Sequence, residues 1–402
     1  MTGAEEAATP STAGGFSVGR VIRQLGRGEL GSVRVLVAIA VIWTIFAISN
    51  DRFLSAFNLT NLSLQIAAVA TISIGVVLVL LLGEIDLSVG AVSGLAAAVV
   101  AVLSVKNGWA SEIALLAGLL VGTVIGLFNG FMNTVFKIPS FVVTLAGLLA
   151  WQGALLAVLG STGSVNLPDN TLITDMTHEF FSEGVGWAIG IGAAAVYAAS
   201  AFMARRRRIA AGLEATPIAP LVVRVAVVAA AILVAVAILN SDRGVPYAVA
   251  IVVTLMVLFT FITERTRYGR HIYAVGGNAE AARRAGIPIN KIRVSVFALA
   301  STLAAFGGIL AASRLFAVNQ QSGSGDILLL AIAGPVIAGT SLFGGRGFIW
   351  SAMLGAIVIG SISNGMDLLG LDSDVKFMIT GAVLLAAVTI DAATKLRRQA
   401  TA

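Results

Sequence analysis

The sequence contains no cysteine and only two histidines, His178 and His271, among its 402 residues. Without cysteine the chain has no disulfide, thiol nucleophile or thiolate metal site, and two histidines make an imidazole cluster improbable. The motifs HExxH and GxxxxGK[ST] are absent too, which argues against a membrane-embedded metalloenzyme and against ATP binding in a P-loop. We therefore predict no catalytic residue, no bound metal and no cofactor.

Charged residues are also scarce. They make up 11% of the chain, whereas apolar residues make up 58%, and the mean hydropathy is +0.96. A chain with so little polar surface cannot cover a water-soluble globule, so lipid must solvate it. The net charge of +6 does not indicate a nucleic-acid partner, because the basic residues are scattered between long apolar runs and form no single patch.

The apolar residues fall into twelve runs of the length that a membrane-spanning helix needs, about 20 residues. These runs are 34–50, 62–82, 87–105, 113–136, 140–160, 185–203, 221–240, 246–263, 293–313, 326–343, 347–368 and 376–391. Gly, Pro and Asn interrupt several of them, which leaves one or two open as re-entrant segments. The predicted fold is all-α, a polytopic transmembrane helical bundle of about 12 spans.

Lysine and arginine are distributed unevenly between the two sides of this bundle. With a cytoplasmic N-terminus, 21 of the 26 basic residues fall on the inside and 5 on the outside, which fixes the orientation with both termini cytoplasmic. The predicted organisation is a cytoplasmic N-terminal segment at 1–32, one transmembrane domain at 33–392 and a cytoplasmic tail at 393–402. The longest outside loop, 161–184, carries four acidic residues and no basic one.

Glycine recurs every fourth residue in one predicted span. Gly118, Gly122, Gly126 and Gly130 lie on one helix face, where small residues let another helix backbone approach closely. We expect helix packing at this face.

Neutral polar side chains inside the predicted spans are candidates for lining a water-accessible translocation path. Unpaired amides facing lipid would lose their hydrogen bonds, so they either tie helices together or line a translocation path, and both interpretations stay open. The candidate path residues are Gln65, Asn129, Asn133, Gln152 and Asn364. Such a path suits a neutral polyhydroxylated solute. Buried carboxylates, which proton- or sodium-coupled carriers hold near mid-membrane, are lacking in these runs.

Two acidic residues, Glu84 and Asp86, lie at a membrane boundary in the segment GEIDLSVG. Asp86 precedes a helical run that is predicted to begin at Leu87. There its carboxylate could cap backbone amides at the positive helix end. A gating role is the other interpretation, and both remain open.

The loop 264–292 is the longest and most basic of the inside loops that join two spans. Within it Asn278 can cap a short helix, Gly286 can end it and Pro288 prevents its continuation. A short helix with an alanine face suits a cleft on a soluble partner. Attraction of Arg283 and Arg284 to lipid headgroups is the alternative.

Five segments, in order along the chain, resemble the permease subunits of bacterial monosaccharide ABC importers, the ribose, xylose, arabinose and galactose group. They are GEIDLSVGA at 83–91, KIPSFVVTLAGLL at 137–149, YGRHIYAVGGNAEAARRAGI at 268–287, AGTSLFGGRG at 338–347 and ISNGMDLLGL at 362–371. The additional helix pair at 185–240 resembles the xylose-type branch. One segment, DILLLAIAGPV from Asp326, lacks acidic residues that the family often carries there, so their role does not transfer.

The resemblance implies a permease in the bacterial cytoplasmic membrane. It implies three protein partners besides lipid: a cytoplasmic ATPase subunit, an extracytoplasmic sugar-binding protein and a second copy of the chain. It also implies that 264–292 couples the ATPase to the pore, and the expected coupling residues are Gly276, Gly277, Asn278, Ala281, Ala282, Ala285 and Gly286.

A gradient-driven secondary sugar carrier is the competing prediction. Such a carrier usually has two similar six-helix halves and a basic loop after its second helix. In this chain the corresponding loop is GEIDLS, which is acidic. Transport without an ATPase subunit would favour the carrier.

Overall fold

The computed structural model describes residues 30–400. The predicted N-terminal segment 1–32 lies outside the described residues except for its last three, and residues 401 and 402 lie outside them too.

The described chain is almost entirely helical. Fifteen α-helices follow one another: α1 Leu30–Ser49, α2 Ala56–Leu81, α3 Val89–Ala101, α4 Ser111–Val135, α5 Ser140–Leu159, α6 Leu172–His178, α7 Glu183–Ala210, α8 Ile218–Asn240, α9 Tyr247–Arg265, α10 Arg267–Gly277, α11 Ala279–Arg284, α12 Ile289–Leu315, α13 Gly325–Ile337, α14 Trp350–Leu368 and α15 Ser373–Ala400. A π-helical turn, Val102–Lys106, extends α3, and a 3₁₀ turn, Gly160–Thr162, follows α5. Two three-residue strands, β1 Ser164–Asn166 and β2 Ala317–Asn319, pair antiparallel.

Within the described range, nine helices are long and apolar enough to cross a membrane, and two apolar stretches, Val35–Ser49 and Ile327–Ile337, are shorter. The prediction of an all-α polytopic membrane protein is therefore confirmed. Every predicted run coincides with a helix, but the run 326–343 ends early, at Ile337. Pro335 lies near that end, and Gly339 follows with a φ of 103° that turns the chain away. The final helix continues past the predicted end at 391 to Ala400.

Helix α12 lies at the centre of the bundle, where it packs against α2, α3 and α4. The predicted glycine face of α4 makes part of this contact. A Cβ atom added at Gly122 would lie 2.6 Å from the Ala305 Cβ, and one added at Gly130 would lie 2.6 Å from the Val294 Cα. The prediction of close helix packing at this face is confirmed.

Helices α7 and α8 form a hairpin at the periphery. They pack mainly against each other, with a smaller contact between α8 and α2. Both helices expose most of their apolar side chains, including Val196 and Val227. A peripheral hairpin of this composition is solvated by lipid.

Candidate translocation path and coupling segment

The short helix α11 has defined structures at both ends. The Asn278 side chain caps the first turn, because its Oδ1 accepts the Ala281 N–H at 2.9 Å. At the other end Gly286 adopts a φ of 78°, and the Ile287 N–H donates to the Ala282 carbonyl at 3.0 Å. This is the Schellman arrangement that ends a helix at glycine. The amino-acid pattern N-x-x-A…G-I-P is therefore sufficient to define this helix locally.

The predicted coupling residues divide into an exposed group and a packed group. Exposed residues are Gly277, Asn278, Ala281, Ala285 and Gly286. Ala282, in contrast, is only 4% exposed and belongs to the main apolar core. A Cβ at Gly276 would overlap the Leu81 carbonyl oxygen, so this glycine allows α10 to approach the end of α2. Ala282 and Gly276 thus hold the segment on the bundle, and the exposed group is free to meet another molecule.

Three loops meet beside this segment. The Gly345 N–H donates to the Leu81 carbonyl at 2.9 Å, which ties the loop before α14 to the end of α2. The Tyr273 hydroxyl of α10 donates to the Gly347 carbonyl at 2.9 Å. Glu84, in the loop after α2, pairs with Arg293 in the first turn of α12 at 3.0 Å. All three loops are predicted to be cytoplasmic.

Asp86 is buried in the loop between α2 and α3, with 4% of its surface exposed. Its Oδ1 accepts the Ser88 N–H at 2.8 Å and the Ser88 hydroxyl at 2.6 Å. Helix α3 begins at Val89 and not at the predicted Leu87, so Ser88 is its N-cap residue. Asp86 therefore orients the cap residue and does not occupy the cap position itself.

Two of the candidate path residues lie on α4 and are buried. The Asn129 Nδ2 donates to the Ser88 hydroxyl oxygen at 3.0 Å, and the Asn133 Nδ2 donates to the Ile138 carbonyl at 3.1 Å. Both bonds tie α4 to neighbouring loop segments at the end that carries Asp86. The Oδ1 atom of each amide has no hydrogen-bond partner in the described chain.

The other three candidates lie towards the opposite end. Asn364 of α14 exchanges two amide hydrogen bonds with Asn58 of α2, at 2.8 and 3.1 Å, and both side chains are buried. Gln152 is half-buried and donates to the Gln320 carbonyl at 2.9 Å. Gln65 is half-buried on α2. The hydrogen bonds of these candidates thus fall into two groups, one near Asp86 and one towards the opposite end of the bundle.

The predicted outside loops also meet, at the end opposite to α11. Lys106 donates to the Leu159 carbonyl at 2.8 Å, and the Leu167 N–H donates to the Phe316 carbonyl at 2.8 Å. Arg243 lies over the Phe180 ring, 4.6 Å from its centroid. The acidic loop 161–184 forms β1 and α6 here.

A cavity of about 360 Å³ lies between α13, α14 and α15, and the amino-acid pattern gave no indication of it. Its walls are mostly apolar, and the polar members are Ser363, Asp367, Ser373, Lys376 and Thr380. The described residues contain no group of three or more acidic or histidine side chains that could hold a metal ion.

Comparisons with known proteins agree on the type of protein. Residues 58–388 match the family model described as "Branched-chain amino acid transport system / permease component". The chain is 35% identical, over 96% of each chain, to the xylose transport system permease protein of Escherichia coli strain K12. It is 34% identical to the xylose transport system permease protein of Haemophilus influenzae, covering 90% of this chain and 96% of the relative. The ribose import permease protein of Escherichia coli strain K12 is 30% identical, over 92% of this chain and 96% of the relative. No solved structure matches the chain.

Proposed function

Because the chain belongs to the family of branched-chain amino acid transport system permease components, we propose that it is the membrane-spanning permease subunit of an ATP-binding-cassette importer for a monosaccharide of the xylose type. The observation that carries the proposal is the 35% identity to a xylose permease over 96% of both chains. The family description names amino acids, but the relatives matched over nearly their full length are xylose and ribose permeases. A sugar is therefore the favoured cargo.

The chain is a translocation subunit of the bacterial cytoplasmic membrane and not an enzyme. ATP is hydrolysed on a separate ATPase subunit, in keeping with the lack of a P-loop in the sequence. We propose that the importer also includes an extracytoplasmic sugar-binding protein and a second copy of the permease.

We propose twelve crossings with both termini in the cytoplasm. Two sets of contacts support this. The loop 338–349, which the charge distribution assigns to the inside, contacts the inside loops 83–88 and 266–288 through Gly344 and Gly347. The outside loops 160–182 and 316–324 contact one another at the opposite end.

The exposed surface of the coupling segment is the proposed ATPase contact. Ala281 and Ala285 lie one helical turn apart and are both exposed, and Gly277 and Gly286 flank them. Small side chains on a helix that is capped at both ends let a partner approach the backbone closely. Glu280 and Arg283 form an exposed ion pair at 3.3 Å, which leaves their charges at the rim of this surface.

Among the candidate path residues, we propose that Gln65, Gln152 and Asn129 face the solute during transport. Asn364 is proposed as a tie between helices, because both its amide oxygen and its amide nitrogen bond to Asn58. Asn133 keeps an unpartnered Oδ1, as Asn129 does, and we propose the same role for it.

Uptake by purified components tests the proposal. Vesicles containing the permease and its ATPase subunit, with the sugar-binding protein outside, should accumulate labelled xylose only when ATP is present on the ATPase side. Uptake that follows a sugar or ion gradient without the ATPase would instead identify a secondary carrier. Transport of leucine with no transport of pentoses would overturn the sugar assignment.

Substitutions in the coupling segment extend this test. Burying an unpaired charge in a packed contact costs several kcal/mol, and about 1.4 kcal/mol already changes an association constant tenfold. Ala281→Glu and Ala285→Glu should therefore abolish ATP-dependent uptake and ATPase co-purification. Ala211→Glu is the matched control, because Ala211 is an exposed alanine in another predicted inside loop. If Arg283→Ala and Arg284→Ala impair uptake more than the glutamate substitutions, the segment contacts lipid instead.

A further inference from the structure

Four consecutive arginines, Arg205 to Arg208, lie in the last two turns of the peripheral helix α7. The apolar stretch before them, from Val185 to Ala204, is about 20 residues long and spans about 30 Å as a helix, which is the thickness of a hydrocarbon core. The arginines therefore lie at the level of the lipid headgroups. Within the described residues, no acidic side chain forms an ion pair with any of the four.

Two of the four arginines are fastened to the loop that joins α7 to α8. The Arg205 Nε donates to the Thr216 carbonyl at 3.1 Å, and the Arg208 Nε donates to the Glu214 carbonyl at 3.0 Å. Residues three positions apart are neighbours on a helix surface. Both guanidinium groups therefore lie on one side of α7, against this loop.

The loop that holds them is itself a defined turn. Gly212 adopts a φ of 67°, its N–H donates to the Ile209 carbonyl at 3.0 Å, and the Leu213 N–H donates to the Arg208 carbonyl at 2.9 Å. Such bonds end a helix at a glycine. Pro217 then precedes the first residue of α8. The backbone thus fixes the carbonyls that orient the two guanidinium groups.

Each of these guanidinium groups keeps most of its donors free. The Nε–H is used by the loop carbonyl, whereas the terminal nitrogens of Arg205 and Arg208 have no partner in the part of the chain that the structure describes. The planar guanidinium fork matches the spacing of phosphate oxygens. Two oriented forks side by side therefore suit a phosphate group.

The surroundings of the pair indicate where this phosphate comes from. The sides of α7 and α8 expose apolar residues such as Val196 and Val227, so acyl chains surround the hairpin. Arg224, in the second turn of α8, is exposed next to the exposed Val222 and Val223, and a long basic side chain at such a place extends to the headgroup level. A basic cluster next to a spanning helix attracts anionic lipid.

We propose that Arg205 and Arg208, oriented by the loop 211–217, bind the phosphate of an anionic phospholipid. The site depends on the hairpin crossing the membrane and not on the nature of the transported solute. A zwitterionic lipid fits less well, because its own ammonium group would lie near the positive charges of Arg206 and Arg207.

Binding of phosphatidylglycerol to the purified full-length permease tests the site. The lipid is titrated in a neutral detergent and counted on the protein by native mass spectrometry. Arg205→Gln/Arg208→Gln removes both forks. Arg206→Gln/Arg207→Gln is the matched control, because it removes the same charge from neighbouring positions that make no bond to the loop, so diffuse attraction falls equally in both. The first variant should bind phosphatidylglycerol about tenfold more weakly than the control, as expected for lost charge-assisted hydrogen bonds.

Thermal melting separates lipid binding from support of the loop. Wild type and both variants are compared in nanodiscs of phosphatidylcholine alone and in nanodiscs that also contain phosphatidylglycerol. The anionic lipid should raise the melting temperature of wild type and of the control, and it should leave that of Arg205→Gln/Arg208→Gln unchanged. Inorganic phosphate added to the phosphatidylcholine nanodiscs should raise none of the three.

Three outcomes would overturn the site. Equal weakening of phosphatidylglycerol binding in both double variants would mean that the arginines act only as diffuse charge. Unchanged binding in Arg205→Gln/Arg208→Gln would mean that the pair serves only to hold the loop. Stabilisation of wild type by inorganic phosphate, equal to that by the lipid, would assign the pair to a soluble anion.

Discussion

A single buried carboxyl organises the beginning of α3. Asp86 holds both the N–H and the hydroxyl of Ser88, and Ser88 in turn binds Asn129 of α4. The loop that carries Asp86 also carries Glu84, whose partner Arg293 lies near the start of α12. Within five residues this loop therefore contacts two helices that are distant in the sequence. A substitution at Asp86 should therefore disturb the packing of both α4 and α12.

The ionisation of Asp86 should make stability depend on pH. Its pKa is raised in the folded protein by burial, so stability is full below the unfolded value of 3.8 and falls as the pH rises towards the folded value. Asp86→Asn cannot ionise and keeps an acceptor for Ser88. The melting temperature of the variant minus that of wild type should therefore increase from pH 4 upwards. A difference that stays constant with pH would show that Asp86 is equally acidic in both states.

At the scale of the helices, glycine positions decide which surfaces touch. A Cβ at Gly126 would overlap the Phe297 carbonyl oxygen and lie 2.7 Å from the Ala298 Cα, whereas one at Gly153 of α5 would meet nothing within 4 Å. Both glycines are inside helices. Alanine is favoured over glycine in an exposed helix interior by about 1 kcal/mol.

This pair gives a matched prediction. Gly126→Ala should lower the folded yield and the melting temperature, because α4 must move away from α12 to accommodate the methyl group. Gly153→Ala should leave both unchanged or raise them slightly. Size-exclusion yield and thermal melting in detergent measure the difference. Equal behaviour of the two variants would refute close packing at α4.

The helices could be predicted because each apolar run is a local feature of the sequence. The hydrogen-bond partners of polar side chains could not be predicted, because they are distant in the sequence. An apolar run of about 20 residues determines a span by itself. The bond between Asn58 and Asn364, however, joins residues 306 positions apart, and nothing near Asn364 indicates its partner. Burial of Ala282 escaped prediction for the same reason. The side of a six-residue helix that faces the protein depends on where the surrounding helices lie.

On the scale of the whole molecule, the predicted inside and outside loops gather at opposite ends. This separation is what alternating crossings require, and the cysteine-free sequence makes it easy to examine. Single cysteines at Ser161 and Ser373, both exposed, should react with an impermeant thiol reagent added to intact cells. A cysteine at Arg207, also exposed, should react only after the cells are opened. Labelling of Arg207→Cys in intact cells would show that the orientation is the reverse of the proposed one.

The junction of the loops near α11 has a mechanical consequence. The end of α2 is hydrogen-bonded to the loop before α14, that loop is bonded to α10, and the loop after α2 is ion-paired to α12. Gly276 and Gly345 bring these backbones into direct contact, so no side chain lies between them at these two positions. A stroke delivered to α11 therefore cannot bend one helix alone. If the proposed ATPase contact displaces α11, we expect the ends of several helices to move together, so that the proposed passage changes between shut and open in a single step.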